Sequence, residues 1–317
     1  MTGSRVSIVL PVHDAARHLP EALAGLRGLV WDDLELVAVD DGSTDGSAAI
    51  LAAEAGAWGG RMRILTQANR GAGAARNAGI AAATGDFVLL ADADDRCDPQ
   101  LVAAGMAALA AAPDADLAVA RCRYIDADGQ VVAVQGPLPP RIGARDLLRG
   151  VMVNTPLVRR AAGEAIGWHD ETLRGSIDLD LFVRLTLRRP DGIASVAQVL
   201  SDYRRSTGQI TSDWRRMQQS WVRVRDRAVA AGLEVSAAEM RAMWGHHCIY
   251  WATLAYVAGD YASARRLMLS AAWRVPGHVL RDDLARVRAG ACLASLLPAP
   301  LHARIRDKFN AGREARS

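Results

Sequence analysis

Asp92, Asp94 and Asp95 place three carboxylates within four residues. They follow Phe87-Val88-Leu89-Leu90-Ala91, an apolar run that reads as a buried strand. Carboxylates this close repel one another, and burial at a strand end worsens the repulsion. A divalent cation relieves it. Hard cations such as Mg²⁺ or Mn²⁺ take oxygen ligands and often share them with substrate phosphates. The spacing therefore suggests a metal–diphosphate site at the carboxyl end of a parallel strand, where open α/β sheets bind ligands. A solvated acidic turn, with Asp98-Pro99 capping the next helix, is the competing reading.

Two more segments carry chemistry. Asp40-Asp41-Gly42-Ser43-Thr44-Asp45 closes the strand-like run Leu34 to Val39. A carboxylate there can accept hydrogen bonds from a nucleobase or ribose, while Ser43 or Thr44 caps a helix running to about Ala57. Asn69-Arg70-Gly71-Ala72-Gly73-Ala74-Ala75-Arg76-Asn77 leads into an Ala-rich helix. Glycines let a backbone approach a ligand, and a helix N-terminus favours anions. The segment half resembles a dinucleotide fingerprint. Arg76 at the third glycine position, and the place after the third strand, argue against that reading.

The elements that must position these groups alternate from residue 6 to 120. Strands are expected at Val6–Leu10, Leu34–Val39, Arg63–Thr66, Phe87–Ala91 and Leu117–Ala120. Helices are expected at Ala15–Leu29, Gly71–Ala83 and Pro99–Ala112. Strands alternating with helices mean a parallel sheet with helices on both faces. Asp126-Ala127-Asp128-Gly129 reads as a hairpin turn. Helical segments follow near Ala144–Val151 and Val158–Ala165. Ser176 is placed to cap a helix from Ile177, and Val196–Leu200 reads as a strand. From Thr211 the pattern is helical throughout. Ser236–Val257 and Tyr261–Trp273 are expected to form a hairpin cored by Trp244, Trp251, Leu254, Leu267, Leu269 and Trp273. The phrase around Gly259-Asp260 resembles one tetratricopeptide-like helix pair. Asp282–Leu297 is a further expected helix.

The 317 residues allow one large domain or a domain with an appendage, and half of them are hydrophobic, enough for a sizeable core. Cys97, Cys122, Cys248 and Cys292 form no CxxC pair, so neither a zinc site nor a disulfide framework is expected. No signal peptide is recognisable at Met1–Val12, and no run reaches the ~20 apolar residues of a membrane span. These features point to a cytoplasmic protein. Net charge is +3, unevenly spread: residues 204–317 hold 19 basic and 9 acidic groups. That basic surplus suits solvated helix faces, an anionic acceptor, or peripheral contact with an anionic membrane. Nucleic-acid binding is not expected, because no basic–aromatic platform occurs in the acidic N-terminal part.

Read together, the segments resemble a known family. Val6-Ser7-Ile8-Val9-Leu10-Pro11-Val12, Asp40 to Asp45, Gly73-Ala74-Ala75-Arg76-Asn77-Ala78-Gly79 and Asp92-Ala93-Asp94-Asp95 occur in the order seen in inverting glycosyltransferases of family 2. Gly167-Trp168-His169-Asp170-Glu171 looks like that family's GGFDE-type stretch, and Asp178-Leu179-Asp180-Leu181-Phe182-Val183-Arg184-Leu185 looks like its ED-x-D-L-x-x-R-L helix. The resemblance covers roughly residues 4 to 212. It implies a GT-A α/β fold, with a mostly parallel sheet flanked by helices over residues 1–210 and an all-helical region over 211–317.

The resemblance also implies roles. Asp41 contacts uracil or another base, and His13 and Pro11 line the same pocket. Arg76 and Ala93 help bind the nucleotide-sugar. Asp92 reaches the ribose or the metal shell, and Asp94 binds Mn²⁺ or Mg²⁺ directly. Asp178 is the base, taking the acceptor hydroxyl's proton in a single displacement, while Asp180 is structural. The partners are a nucleotide-sugar donor, UDP-linked by expectation, and a glycan, lipid-linked or small-molecule acceptor, as in polysaccharide biosynthesis. An oligomer is compatible with this reading. A sugar-phosphate nucleotidyltransferase would need a Gly-rich basic loop after the first strand, where Pro11-Val12-His13-Asp14 stands. Two positions depart from the family pattern. Ile177 replaces the usual Glu before the base, and Ser206 stands where a His often helps hold metal or diphosphate. Arg204 or Arg205 are candidate replacements as phosphate clamps. A catalytically weak or dead nucleotide-sugar-binding protein of the same fold is the alternative these departures leave open.

Overall fold

The structure, a computed structural model, describes residues 3–205, 213–281, 283–297 and 301–305. Ser206 and the expected domain boundary at residue 210 lie outside the described residues. Contacts divide the chain into two compact units. The first comprises residues 3–124, 134–144 and 152–204; the second comprises 125–133, 145–151 and the described residues from 205 onward.

In chain order the first elements are β1 (Val6–Val12), α1 (Leu19–Arg27), β2 (Leu34–Asp40), α2 (Ser47–Glu54), β3 (Met62–Thr66), α3 (Ala72–Ala82) and β4 (Phe87–Leu90). Next come β5 (Arg96–Cys97), α4 (Leu101–Ala111), β6 (Leu117–Ile125), β7 (Val131–Val134), β8 (Arg141–Ile142) and α5 (Ala144–Arg149). The order continues with β9 (Leu157–Arg159), α6 (Arg160–Glu164), α7 (Ile177–Arg188) and β10 (Ile193–Arg204).

The sheet runs β3-β2-β1-β4-β9-β6-β10-β5. β1 pairs in parallel with β2 and β4, and β2 in parallel with β3. Parallel pairing aligns the carboxyl ends of these strands, with Val12 opposite Asp40 and Val9 opposite Leu90. Beyond β4 the sheet turns antiparallel, at β4–β9, β9–β6, β10–β5 and β10–β8. The parallel expectation thus holds for the β3–β4 half only. The reason is non-local: β9 enters beside β4 from 67 residues later in the chain, a pairing that no periodicity announces.

β1, β2 and β4 are buried on both faces, which explains why they read as near-unbroken apolar runs, while the edge strand β3 is not. Ile8, Leu10, Leu36 and Leu89 pack in one cluster with Leu19, Leu23 and Leu26 of α1 and Leu101, Met106 and Leu109 of α4. Val9 and Val39 lie beneath α3, where Gly79 lets the helix approach: a Cβ at Gly79 would sit 2.7 Å from Val9 Cγ1 and 3.1 Å from Val39 Cγ2.

Several local expectations are corrected. Ser43 and Thr44 do not cap α2, which begins at Ser47 with no side-chain cap. They instead serve Asp14: Ser43 Oγ accepts from its backbone N–H, and Thr44 N–H donates to its carboxylate. Asp98 accepts from Gln100 N–H at 2.9 Å just ahead of α4, whereas Ser176, at φ +50°, does not cap α7. Val158 lies in the strand β9, with only Arg160–Glu164 helical, because the segment completes the sheet beside β4. The turn at Asp126–Gly129 forms as expected, closed by Gly129 N–H donating to Asp126 O.

The second unit holds α8 (Trp214–Ala230), α9 (Ala237–Val257), α10 (Tyr261–Arg274), α11 (Pro276–Arg281) and α12 (Asp283–Ala294). Its helices are well capped. Asp213 and Asp260 cap α8 and α10, and Ser236 with Glu239 forms a capping box on α9. Trp221, Trp244 and Trp251 pack edge to face, 5.4–5.7 Å between ring centroids. The α9–α10 hairpin is present, but Leu269 and Trp273 are 64% and 84% exposed. They lie one turn apart on a single stripe of α10, and Ala264, Leu267, Met268 and Ala271 supply the buried side instead. Among the described residues, no helix is long and apolar enough to cross a membrane.

The α3 seat generates a prediction. Gly79→Val should cost about 1–3 kcal/mol through overpacking against Val9 and Val39. Gly56→Ala, where a Cβ meets nothing within 4 Å, should stay within about 0.5 kcal/mol of the native chain. Urea denaturation of both variants checks this, and equal stabilities would refute the close packing of α3.

Candidate active site

The site collects at the carboxyl ends of β1, β2 and β4 and at the N-terminal turns of α3 and α7, all within the first unit. Its centre is Arg76, which points from α3 with 5% of its side chain exposed. Nη1 donates to Asp178 Oδ1 at 2.6 Å, and Nη2 donates to Asp92 Oδ1. One guanidinium therefore ties a carboxylate after β4 to a carboxylate in the first turn of α7. Planar, forked donors suit this double engagement better than an ammonium would.

Electrostatics follow from the geometry. Burial would raise the Asp178 carboxyl, but the Arg76 charge and the neighbouring His169 ring outweigh it and hold it well below the usual range. For Asp92 burial dominates over the attraction of Arg76, and repulsion from Asp178 and Asp94 adds to it, so its carboxyl is raised. Asp95 is raised well above its ordinary value by burial and by Asp92 and Asp94. The expected crowding of like charges is real.

Asp95 and Asp94 also reveal a support that the sequence did not announce. Asp95 accepts from Arg204 N–H at 2.8 Å and from Asn154 Nδ2 at 3.1 Å. The Arg204 side chain, 1% exposed, donates from Nε to Asp94 O and from Nη2 to Glu21. Arg204 is thus a buried brace for the acidic turn, and its expected role as a phosphate clamp is withdrawn.

Asp41 is 2% exposed, and both of its oxygens are engaged. Oδ1 accepts from Gln67 Nε2 and Arg70 N–H, and Oδ2 from Gly71 N–H, at 2.7–2.9 Å. The carboxylate shapes the loop leading into α3. His13 stands at the end of β1 with Nε2 2.9 Å from Asn69 Nδ2 on that loop. Pro11 lies in β1 opposite Val39, and Ala93 is buried between Asp92 and Asp94. The expected residues Pro11, His13, Asp41, Arg76, Asp92, Ala93, Asp94 and Asp178 thus all fall in one region of the first unit. Asp180 is 1% exposed and accepts from Arg184 Nε at 2.7 Å, as a structural residue would.

Asn77 is a further residue that sequence reading passed over. Its amide makes a two-way clasp on the backbone of residue 169: Nδ2 donates to His169 O and Oδ1 accepts from His169 N–H. Adjacent positions on α3 thereby hold both sides of the cleft, Arg76 through charge and Asn77 through the backbone.

Among the described residues, no three carboxylate, imidazole or thiol groups converge as a complete metal shell. Asp92 and Asp94, crowded and partly exposed, fit a cation that completes its shell with water and phosphate oxygens.

The fold and these strand ends define a GT-A-type nucleotide-sugar transferase fold. A family model described as glycosyl transferase family 2 matches residues 7–155. The chain is 36% identical over 119 residues to an uncharacterized glycosyltransferase, YibD, of Escherichia coli, covering 38% of this chain and 33% of that protein. It is 35% identical over 185 residues to the O-antigen biosynthesis protein RfbC of Myxococcus xanthus, covering 57% of this chain and 14% of RfbC. The match thus spans a third or less of these relatives. A crystal structure of S. aureus TarS 1–349 superposes with TM-score 0.59 at 16% identity, over 98% of this chain and 88% of that one. The mannosyltransferase PcManGT from Pyrobaculum calidifontis, in complex with GDP-Man and Mn²⁺, superposes with TM-score 0.57 at 16% identity, over 99% and 87%. The chain thus resembles the family 2 glycosyltransferases over residues 7–155, just under half of its length.

Removing the central cation should show in stability and in its pH dependence. With Arg76 present, Asp178 is held low, so its stabilisation is complete above its unfolded value near pH 4 and is lost as pH falls through the lower folded value. Arg76→Met removes the main attraction opposing burial, so both carboxyls rise. Asp178 and Asp92 are 41% and 33% exposed, so the loss at pH 7 should be about 1–3 kcal/mol, less than for a fully buried pair. The deficit should shrink as pH falls from 7 to 4, when the orphaned carboxylates take up protons. A deficit independent of pH in urea titrations would contradict the double ion pair.

Proposed function

We propose that the protein is an inverting, metal-dependent glycosyltransferase that moves a sugar from a nucleotide-sugar to an acceptor hydroxyl. The observation that carries this reading is Arg76 bridging Asp92 and Asp178. It fixes a donor-side carboxylate and a proton acceptor on opposite sides of one cleft. UDP-sugars are the first donors to test. Structures of S. aureus TarS in complex with UDP-GlcNAc share this fold, as does the PcManGT complex with GDP-Man and Mn²⁺. The acceptor belongs to the glycans, lipid-linked saccharides or small molecules.

Asp178 takes the proton as the acceptor oxygen bonds to the anomeric carbon. The bond from that carbon to the diphosphate oxygen breaks, and its electron pair leaves with the nucleoside diphosphate. A weakly basic carboxylate suffices when proton transfer is late, because the attacking oxygen becomes strongly acidic as its new bond forms. Arg76 keeps Asp178 ionised and aimed. Asp41, His13 and Pro11 border the base and ribose region, and Ala93 gives the backbone close access there. Asp92 and Asp94 would hold Mn²⁺ or Mg²⁺, which when bound neutralises charge on the departing diphosphate. A catalytically dead binding protein of the same fold is the second reading, favoured by Ile177 and by the low basicity of Asp178.

Nucleoside diphosphate release from UDP-GlcNAc, UDP-glucose and GDP-mannose, with Mn²⁺, Mg²⁺ or EDTA, tests the proposal. The expected result is metal-dependent release from one donor, reduced about 100-fold or more in Asp178→Asn. Metal-dependent binding without release would favour the dead-enzyme reading. Failure to bind any of these donors would remove the assignment.

A further inference from the structure

His169 is a buried polar side chain that the mechanism above leaves unused. Its side chain has no solvent exposure, and neither ring nitrogen has a hydrogen-bond partner. A buried donor left unpaired is costly, so such a group calls for an explanation. Its surroundings supply one. Nε2 lies 3.5 Å from Asp178 Oδ1, just beyond a formed hydrogen bond. Burial, reinforced by Arg76 and Arg184, keeps the imidazole below its usual pKa despite the opposing pull of Asp178. The neutral ring then holds a single N–H.

The ring is also placed with care. Asn77 clasps the residue 169 backbone from both sides. Arg184 donates to Ile166 O at 2.8 Å and to Trp168 O, fixing the segment that leads into it. Trp168 itself adopts φ +55° and packs on Gly163, where a Cβ would clash with its ring at 2.3 Å. The stretch resembles a GGFDE-type motif in which the third position is an aromatic hydrocarbon ring. Here that position is an imidazole, with Nε2 facing Asp178.

We propose that His169 is a positioning residue for Asp178: its neutral Nε2–H donates to one carboxylate oxygen and, with Arg76, anchors it so that the other oxygen is presented to the acceptor proton. This rests on the transferase reading for its catalytic consequence, though not for the hydrogen bond itself. Arg76 grips Oδ1 from the α3 side, and His169 approaches the same oxygen from the 167–171 segment, leaving the other oxygen for the acceptor. Small rotations of either side chain close the remaining few tenths of an ångström. The result is an imidazole–carboxylate pair in which the imidazole orients and the carboxylate reacts.

Two measurements on the full chain test this. The first is ring ¹⁵N–¹H correlation NMR, which reads the tautomer without any turnover. His169 should be the Nε2–H form, and Asp178→Ala should abolish that preference. An Nδ1–H tautomer, or one indifferent to Asp178→Ala, would overturn the proposal. The second is kinetic. His169→Phe keeps an aromatic ring but no donor, and should lower kcat about tenfold while donor KM stays within twofold. His169→Gln retains a side-chain N–H and should recover most of the loss. If Gln is as impaired as Phe, or if Phe matches the native kcat, His169 is only packing and the proposal falls. If the native protein turns over no donor, the transferase reading fails by itself, and the tautomer still decides whether His169 serves Asp178.

Discussion

A single buried guanidinium organises this cleft. Arg76 projects from a helix that can reach the sheet only because Gly79 presents no side chain to Val9 and Val39. From there it joins Asp92, at the end of β4, to Asp178, in the first turn of α7. These carboxylates are 86 residues apart in sequence and would repel each other without it. Burying Arg76 is tolerable because both ends of its fork are matched by charge. The arrangement holds the Asp178 carboxylate ionised and oriented.

Around that interaction the site is layered. Asp41 shapes the loop before α3 by accepting from two backbone amides and Gln67. Asn77 continues the work of Arg76 one residue on, gripping the opposite wall at His169. Arg204 braces the acidic turn from behind through Asp94 and Glu21. Each brace runs from a strand or helix end to a loop, so the loops that border the cleft inherit the rigidity of the sheet.

Much of this was legible from sequence because it is local. The runs Val6–Val12, Leu34–Asp40 and Phe87–Leu90 are buried on both faces and so read as strands, and the acidic residues that follow them announce the strand ends. The order of motifs was enough to resemble family 2, and the family match covers residues 7–155 of that stretch, short of the motifs at 167–171 and 178–185. What escaped was non-local. No pattern in Leu157–Arg159 says that it will lie antiparallel beside β4. Nothing in Tyr203-Arg204 distinguishes a surface phosphate clamp from a side chain only 1% exposed. Ser43, Thr44 and Ser176 had the chemistry of caps, but tertiary bonds and backbone conformation drew them to other tasks. The exposed pair Leu269 and Trp273 shows the same limit, since apolar spacing identifies a stripe without saying that anything covers it.

The brace formed by Arg204 has a consequence for how the cleft comes into being. Asp94 and Asp95 are made early in synthesis, yet the groups that seat them, Asn154 and Arg204, come 59 and 109 residues after Asp95. Until β10 has formed, Asp95 lacks the backbone N–H of Arg204 and the Asp94 carbonyl lacks its guanidinium. The order of translation therefore separates the early sheet from a braced acidic turn. Residues 7–155, the stretch that matches the family model, would emerge before both Asp178, the partner of Arg76, and the strand that locks the acidic turn.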